Sequence, residues 1–132
     1  MQLADLIRRA KRVYLIGNGG SSANASHICN DLETCGVRAH VMNEATKSAW
    51  ENDCGHAHVF ERWVRLHGEE GDLLIALSGS GKSPNILNAC AAAENRGMTV
   101  WREFGARQGL DMQQAEERQV ALGHELMREL RG

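Results

Sequence analysis

The sequence predicts an α/β fold: a three-layer α-β-α sandwich around a mostly parallel sheet of about four strands, as one domain over residues 1–132. Three observations predict it. Short apolar runs alternate with capped helical segments, the pattern of successive βα units. The run "DLLIAL" lacks the polar alternation of a half-exposed strand, as expected of a strand covered on both faces. Two segments built from Gly and Ser, "GNGGSS" at 17–22 and "SGSGKS" at 78–83, each join such a run to a helix start. That is where open parallel sheets bind ligands.

The elements follow in order. A short amphipathic helix over 2–10 leads into the apolar strand "VYLIG", 13–17. "SSANASHICNDLETCG" reads as a helix with Ser21 or Ser22 as N-cap and Gly36 past its end. A strand "RAHVM" and a Gly-poor loop come next, then a helix at 55–67 and the strand "DLLIAL". The helix in "SPNILNACAAAENRG" ends at Gly97, "MTVW" is the fourth strand, and a last helix runs from Asp111 to Leu130. With one Pro and no low-complexity tract, there is neither linker nor repeat.

Composition narrows the function. The 132 residues are 42% hydrophobic and 24% charged, the balance of a globular domain with one modest core. A net charge of −2 argues against a nucleic-acid coat or a membrane-surface binder. No apolar run approaches the roughly 20 residues that cross a bilayer. The N-terminus lacks a signal peptide's apolar segment, so the expected location is cytoplasmic. Cys29, Cys35, Cys54 and Cys90 form no Cys-x-x-Cys pair and read as small reduced residues.

The second Gly-rich loop nearly matches a nucleotide-binding P-loop. That pattern needs a Gly five positions before Gly81, where Ala76 stands, and Pro84 follows Ser83 at once. No later strand ends in an Asp suited to magnesium. A nucleotide is therefore not expected. Gly lets successive N–H groups point at one anion, helix N-termini add partial positive charge, and Ser hydroxyls add donors. Together the loops describe a phosphate site.

In order along the chain stand "GNGGSSANASHICNDL", "ENDCGHAHVFERWV", "GDLLIALSGSGKSPNILNACAAAENRGM" and "EERQVALGHELMREL". This series resembles the phosphoheptose isomerases, proteins of the sugar isomerase (SIS) domain family that interconvert sedoheptulose 7-phosphate and D-glycero-D-manno-heptose 7-phosphate. The match covers most of 12–100 and resumes at 114–130. The resemblance implies an SIS-type, Rossmann- or flavodoxin-like fold. It places the substrate against Asn18, Gly19 and Gly20, with Ser21 beside them. It also places the phosphate on Ser78, Ser80 and Ser83, where Gly79 replaces a Thr and keeps only its backbone donor. Lys82 replaces a neutral residue; it either adds charge to the site or points into solvent. Asn52 and Asp53, on what the family has as a third loop, fall at the sugar hydroxyls.

The resemblance further implies zinc, held where this chain has His27, Asp31, Glu116 and His124, with Glu116 also touching substrate. Residues four apart share a helix face, which independently supports His27 with Asp31. Glu116 and His124 are offset by about 80° around a helix, so Glu117 is a substitute. The bland alternative is a locally bonded His27 and a surface His124. By resemblance, Asp31 takes the position of the catalytic Glu and His124 that of its acid/base partner, for isomerisation through an enediol. Asp31 is one methylene shorter than that Glu, and Glu116 adds a charge where the family has Gln. The chain also lacks the family's longer N-terminal helical segment and fifth strand. The expected partners are a sugar phosphate and further copies of the chain, as a dimer or tetramer with the site at the subunit interface. Neither nucleic acid nor membrane is expected. A rival from another class is a non-catalytic, regulatory phosphosugar-binding module, of the type that binds the initiator DnaA. His56 and His58 point different ways at a helix start and read as surface residues. Trp50, Trp63 and Trp101 read as core or interface residues.

Overall fold

The computed structural model describes residues 1–131. Four parallel strands form one sheet in the order β2-β1-β3-β4: β1 (Val13–Ile16), β2 (Ala39–Val41), β3 (Leu73–Ser78) and β4 (Thr99–Phe104). Side chains alternate between faces along each strand. Val13 and Leu15 of β1 and Leu73, Ile75 and Leu77 of β3 enter one core with α1 (Leu3–Arg9), α2 (Gly20–Thr34) and α6 (Met112–Arg131). Tyr14, Ile16, Leu74 and Ala76 enter the other, with α4 (Val59–His67) and α5 (Pro84–Asn95). Every residue of β1 and β3 is buried, the reason these strands read as unbroken apolar runs. The three-layer expectation holds.

Local signals explain the helix ends. Gly36 and Gly97 follow α2 and α5 at φ 84° and 78°, conformations that cost Gly little. Pro84 opens α5 at its first position, where its missing N–H costs nothing. α2 starts one residue before the expected caps: Gly20 is its first residue and Gly19, at φ 53°, precedes it. β4 runs to Phe104, three residues beyond "MTVW".

One element differs in kind. The segment read as a Gly-poor loop contains a helix, α3 (Glu44–Cys54), capped by Asn43, whose Oδ1 accepts from the N–H groups of Ala45 and Thr46 at 2.9 and 3.2 Å. None of its residues is buried, so it has no apolar stripe for periodicity to detect. A 3₁₀ turn, His56–His58, joins it to α4. All four cysteines are free; Cys29 and Cys90 are buried, Cys35 and Cys54 half-buried. Trp63 lies in the α4/α5 core with Trp50 partly buried against it, and Trp101 is partly buried against the core of the other face. Among the described residues no helix is long and apolar enough to cross a membrane.

Candidate functional site

β1 and β3 are neighbours, so the two Gly-rich loops that follow them adjoin. A reciprocal amide pair joins them: Asn18 Nδ2 donates to Asn85 Oδ1 at 3.0 Å, and Asn85 Nδ2 donates to Asn18 Oδ1 at 2.8 Å. The second loop is braced by its own hydroxyls. Ser78 Oγ accepts from Gly81 N–H at 2.9 Å and Ser80 Oγ from Lys82 N–H at 3.1 Å, while Gly81 supplies φ 68°. A hydroxyl oxygen that accepts in this way keeps its proton to donate outward. Asn18, Ser21, Ser78, Gly79, Ser80 and Ser83 line one hollow of about 50 Å³. Six predicted residues thus converge.

α6 closes this hollow. Met112 also lines it, and its sulfur rests against Gly79 where a side chain would begin. A Thr here would have to displace Met112, which accounts for the Gly. One turn on, the Glu116 carboxylate occupies the space a Cβ on Gly20 would need, over the first turn of α2. Lys82 is exposed, as in the solvent alternative.

α2 and α6 run side by side in the same direction, and their seam carries the second group. His27 Nε2 lies 3.3 Å from Asp31 Oδ2, and the His27 and His124 rings are 5.7 Å apart, edge to face. The three residues can bring one ligand atom each within 4.8 Å of one another. Asp31 is 6% exposed, and its Oδ2 is buried without a hydrogen bond. Gly123 permits this approach, since a Cβ there would meet Ile28 Cγ1 at 2.9 Å and Asp31 Oδ2 at 3.6 Å. Two imidazoles and a carboxylate with an unsatisfied buried oxygen suit a divalent cation with an open position. From Ser21 to His27 is six residues, about 9 Å along α2.

Two expectations need correction. Glu116 is not with the histidines: eight residues separate it from His124, about 12 Å along α6, and parallel α2 places Gly20, not Asp31, beside it. Glu117 does not substitute; it is exposed and accepts from Gln113. Asn52 and Asp53 lie not on a loop but on exposed positions in the last turn of α3, and among the described residues neither hydrogen-bonds to a Gly-rich loop.

Several residues escaped the sequence reading. Gln119 is 1% exposed and locks α6 to α2: its Nε2 donates to Ser21 Oγ at 3.0 Å, and its Oε1 accepts from Asn24 at 2.9 Å. Its signal was a lone polar residue in the buried stripe Ala115, Leu122, Leu126. Asn85 was legible only as a polar residue after Pro84. Met112 had no signal, because its position depends on how the chain returns from β4.

The site therefore defines an α/β protein with a hydroxyl-lined hollow at the carboxyl edge of a parallel sheet and a His–Asp–His group on the flanking helices. Residues 2–101 match the SIS domain, and the chain belongs to the SIS domain family. It is 40% identical over 111 residues to the phosphoheptose isomerase of Rhodospirillum rubrum, covering 78% of this chain and 59% of that one. A phosphoheptose isomerase of Burkholderia pseudomallei is also 40% identical over 111 residues, 78% of this chain and 56% of that one. The chain thus spans less than two thirds of the length of these curated relatives. Among solved structures, phosphoheptose isomerase GmhA from Neisseria gonorrhoeae superposes with a TM-score of 0.88 at 26% identity, over 96% of this chain and 82% of that one. The NanR protein of Vibrio vulnificus complexed with ManNAc-6P superposes at 0.70 with 18% identity, over 97% and 52%, which shows the shared fold alone.

Proposed function

We propose that this chain is a sugar-phosphate isomerase that interconverts sedoheptulose 7-phosphate and D-glycero-D-manno-heptose 7-phosphate. The observation that carries the reading is the meeting of His27, Asp31 and His124 about 9 Å along α2 from a hydroxyl-lined anion hollow. The names of the curated relatives support the choice of sugar.

Ser78, Ser80 and Ser83 donate to the phosphate, and Asn18 and Ser21 meet its sugar-side oxygens. The Asp31 carboxylate takes a proton from C1 of the ketose while His124 protonates the C2 oxygen, leaving a neutral enediol. Asp31 then returns its proton to C2 as the C1 hydroxyl proton passes to His124, which forms the aldehyde. One proton leaves carbon and one arrives, so no oxidant is needed. Asp31, nearly enclosed between α2 and α6, is shielded from water while it holds that proton. His27, Asp31 and His124 would hold a zinc ion, which when bound supplies Lewis-acid polarisation of the substrate oxygens. The active form is a homo-oligomer working in the cytoplasm, with the site at the subunit interface.

Isomerisation of sedoheptulose 7-phosphate, assayed with added zinc and with chelator, tests the reading. Turnover is expected in at least one condition. Zinc alone should also raise the melting temperature of wild type, and His27→Ala should abolish that rise. Binding without turnover in both conditions would select the regulatory module instead.

A further inference from the structure

Asn85 is wholly buried and has a second partner besides Asn18. Its Nδ2 lies 3.2 Å from His56 Nε2, at the start of the 3₁₀ turn. The other ring nitrogen, Nδ1, is 3.4 Å from Glu51 Oε2, and Glu51 Oε1 is 3.9 Å from Lys47 Nζ. A polar chain therefore runs from α3 through the turn and α5 to the first Gly-rich loop.

The donor and acceptor roles along it are fixed by its far end. A carboxylate only accepts, so neutral His56 carries its proton on Nδ1 and offers Nε2 as an acceptor. The Asn85 NH₂ must then give one hydrogen to His56 and the other to Asn18 Oδ1. Its carbonyl remains for Asn18 Nδ2. The orientation of the Asn18 amide, which lines the hollow, follows from the orientation of Asn85.

We propose that Glu51 and His56 form a positioning pair that sets the Asn18 amide through Asn85. They thereby fix which positions at Asn18 offer a donor or an acceptor to a sugar phosphate, a role that rests on the sugar-phosphate reading of the hollow. Protonated His56 carries hydrogen on both nitrogens, so two donors would face each other at Asn85 Nδ2. Turning both amides over relieves this: the Asn18–Asn85 pair keeps two mutual hydrogen bonds, with oxygen and nitrogen exchanged. The pattern presented to the ligand is then inverted. The turn packs against α3, α4 and α5. α3 contributes Glu51 and, behind it, Lys47. On α4, Glu61 is held by His58 at 3.0 Å and by Arg65 at 3.3 Å. α5 contributes Asn85 and Asn88, whose Nδ2 donates to Ala57 O at 3.0 Å and pins the turn.

The test follows the side-chain amide and imidazole NMR signals of the full chain across the imidazole range, roughly pH 5–8. In wild type, the Asn18 and Asn85 amide signals should move along the same curve as the His56 ring. Affinity for sedoheptulose 7-phosphate should fall about three- to tenfold over that curve, the worth of one hydrogen bond. In His56→Gln, whose carbonyl accepts from Asn85 at every pH, the amide signals should stay fixed and the three- to tenfold loss seen in wild type should be missing from the pH dependence of affinity. The phosphate ester and the site histidines also titrate in this range, so the comparison is between the two proteins: a merely structural His56 would give wild type and His56→Gln the same pH dependence of affinity. Amide signals that ignore the His56 titration, or the same pH dependence in both proteins while they move, would overturn the proposal. Moving amides with no sugar-phosphate binding at any pH would uphold the relay and overturn the functional reading.

Discussion

The two faces of the sheet share strands but differ in what they bury. On the α4/α5 face the core is mostly apolar and rich in rings, with Tyr14, Phe60, Trp63 and Phe104 beneath the small residues Ala89, Ala92 and Ala93 of α5, whose one buried polar residue is Asn85 in its first turn. On the α2/α6 face the buried set includes Ser21, Asp31 and Gln119 beside the aliphatic core. Both faces carry two helices in contact, α4 with α5 and α2 with α6. What differs is the seam: between α2 and α6 it is lined by polar groups that are enclosed yet reached from outside. Ser21, Asn24 and Gln119 satisfy one another there, whereas Asp31 Oδ2 stays without a hydrogen bond. A buried polar atom without a hydrogen bond is costly, so this exception, with the His27 imidazole near it, singles out Asp31 among the polar residues of the seam.

If the chemistry belongs to the seam, substitutions there should dominate. The largest effect is expected for Asp31→Asn or His124→Ala, each lowering isomerase turnover by about 10²- to 10⁴-fold while sugar-phosphate binding survives; kcat and KM measured separately would show it. Conversely, Asp31→Glu with Glu116→Gln should raise turnover, by lengthening the acid and removing a charge from over the first loop. Unchanged or lower kcat would count against that account.

Next in size is Gly123→Ala. Its Cβ would press on Ile28 at 2.9 Å and part the helices, at a cost of about 1–3 kcal/mol in denaturant unfolding. A neutral result would mean that the seam is looser than its contacts imply. The hollow offers a smaller test. Gly79→Thr must evict the Met112 sulfur and should cost about 1 kcal/mol, and the double change with Met112→Ala should recover part of it. Additive losses in the double mutant would break the link between α6 and the second loop.

The smallest effect concerns pH. Burial, and then the Glu33 carboxylate 3.5 Å away, push the Cys29 thiol up to about 12 from its ordinary 9.0. The unfolded chain therefore releases this proton first, and between pH 9 and 12 the folded state binds more protons. Stability should fall with rising pH across that window. Cys29→Ala should unfold with a shallower alkaline loss than wild type, and parallel curves would refute the assignment.

Much of this was legible in the residues because it depends on local rules. Buried strands have apolar runs, Gly at φ 53° and 68° has few substitutes, and His27 with Asp31 needs only the pitch of one helix. α3 escaped because a helix that buries nothing leaves no period, although Asn43 was a readable cap. Glu116 was misplaced because eight residues on a helix fix a distance from His124 but not what lies opposite.

The sequence by itself determined the parallel α/β architecture, the paired Gly–Ser turns and the four-residue step that aligns His27 with Asp31. Each follows from interactions within a few residues of chain. Only the tertiary structure decided that His124 joins that pair while Glu116 rests on Gly20, and that Asn18, Asn85 and His56 form one line. Those choices depend on the relative direction and offset of elements dozens of residues apart, which the packing of side chains such as Gln119 and Gly123 settles.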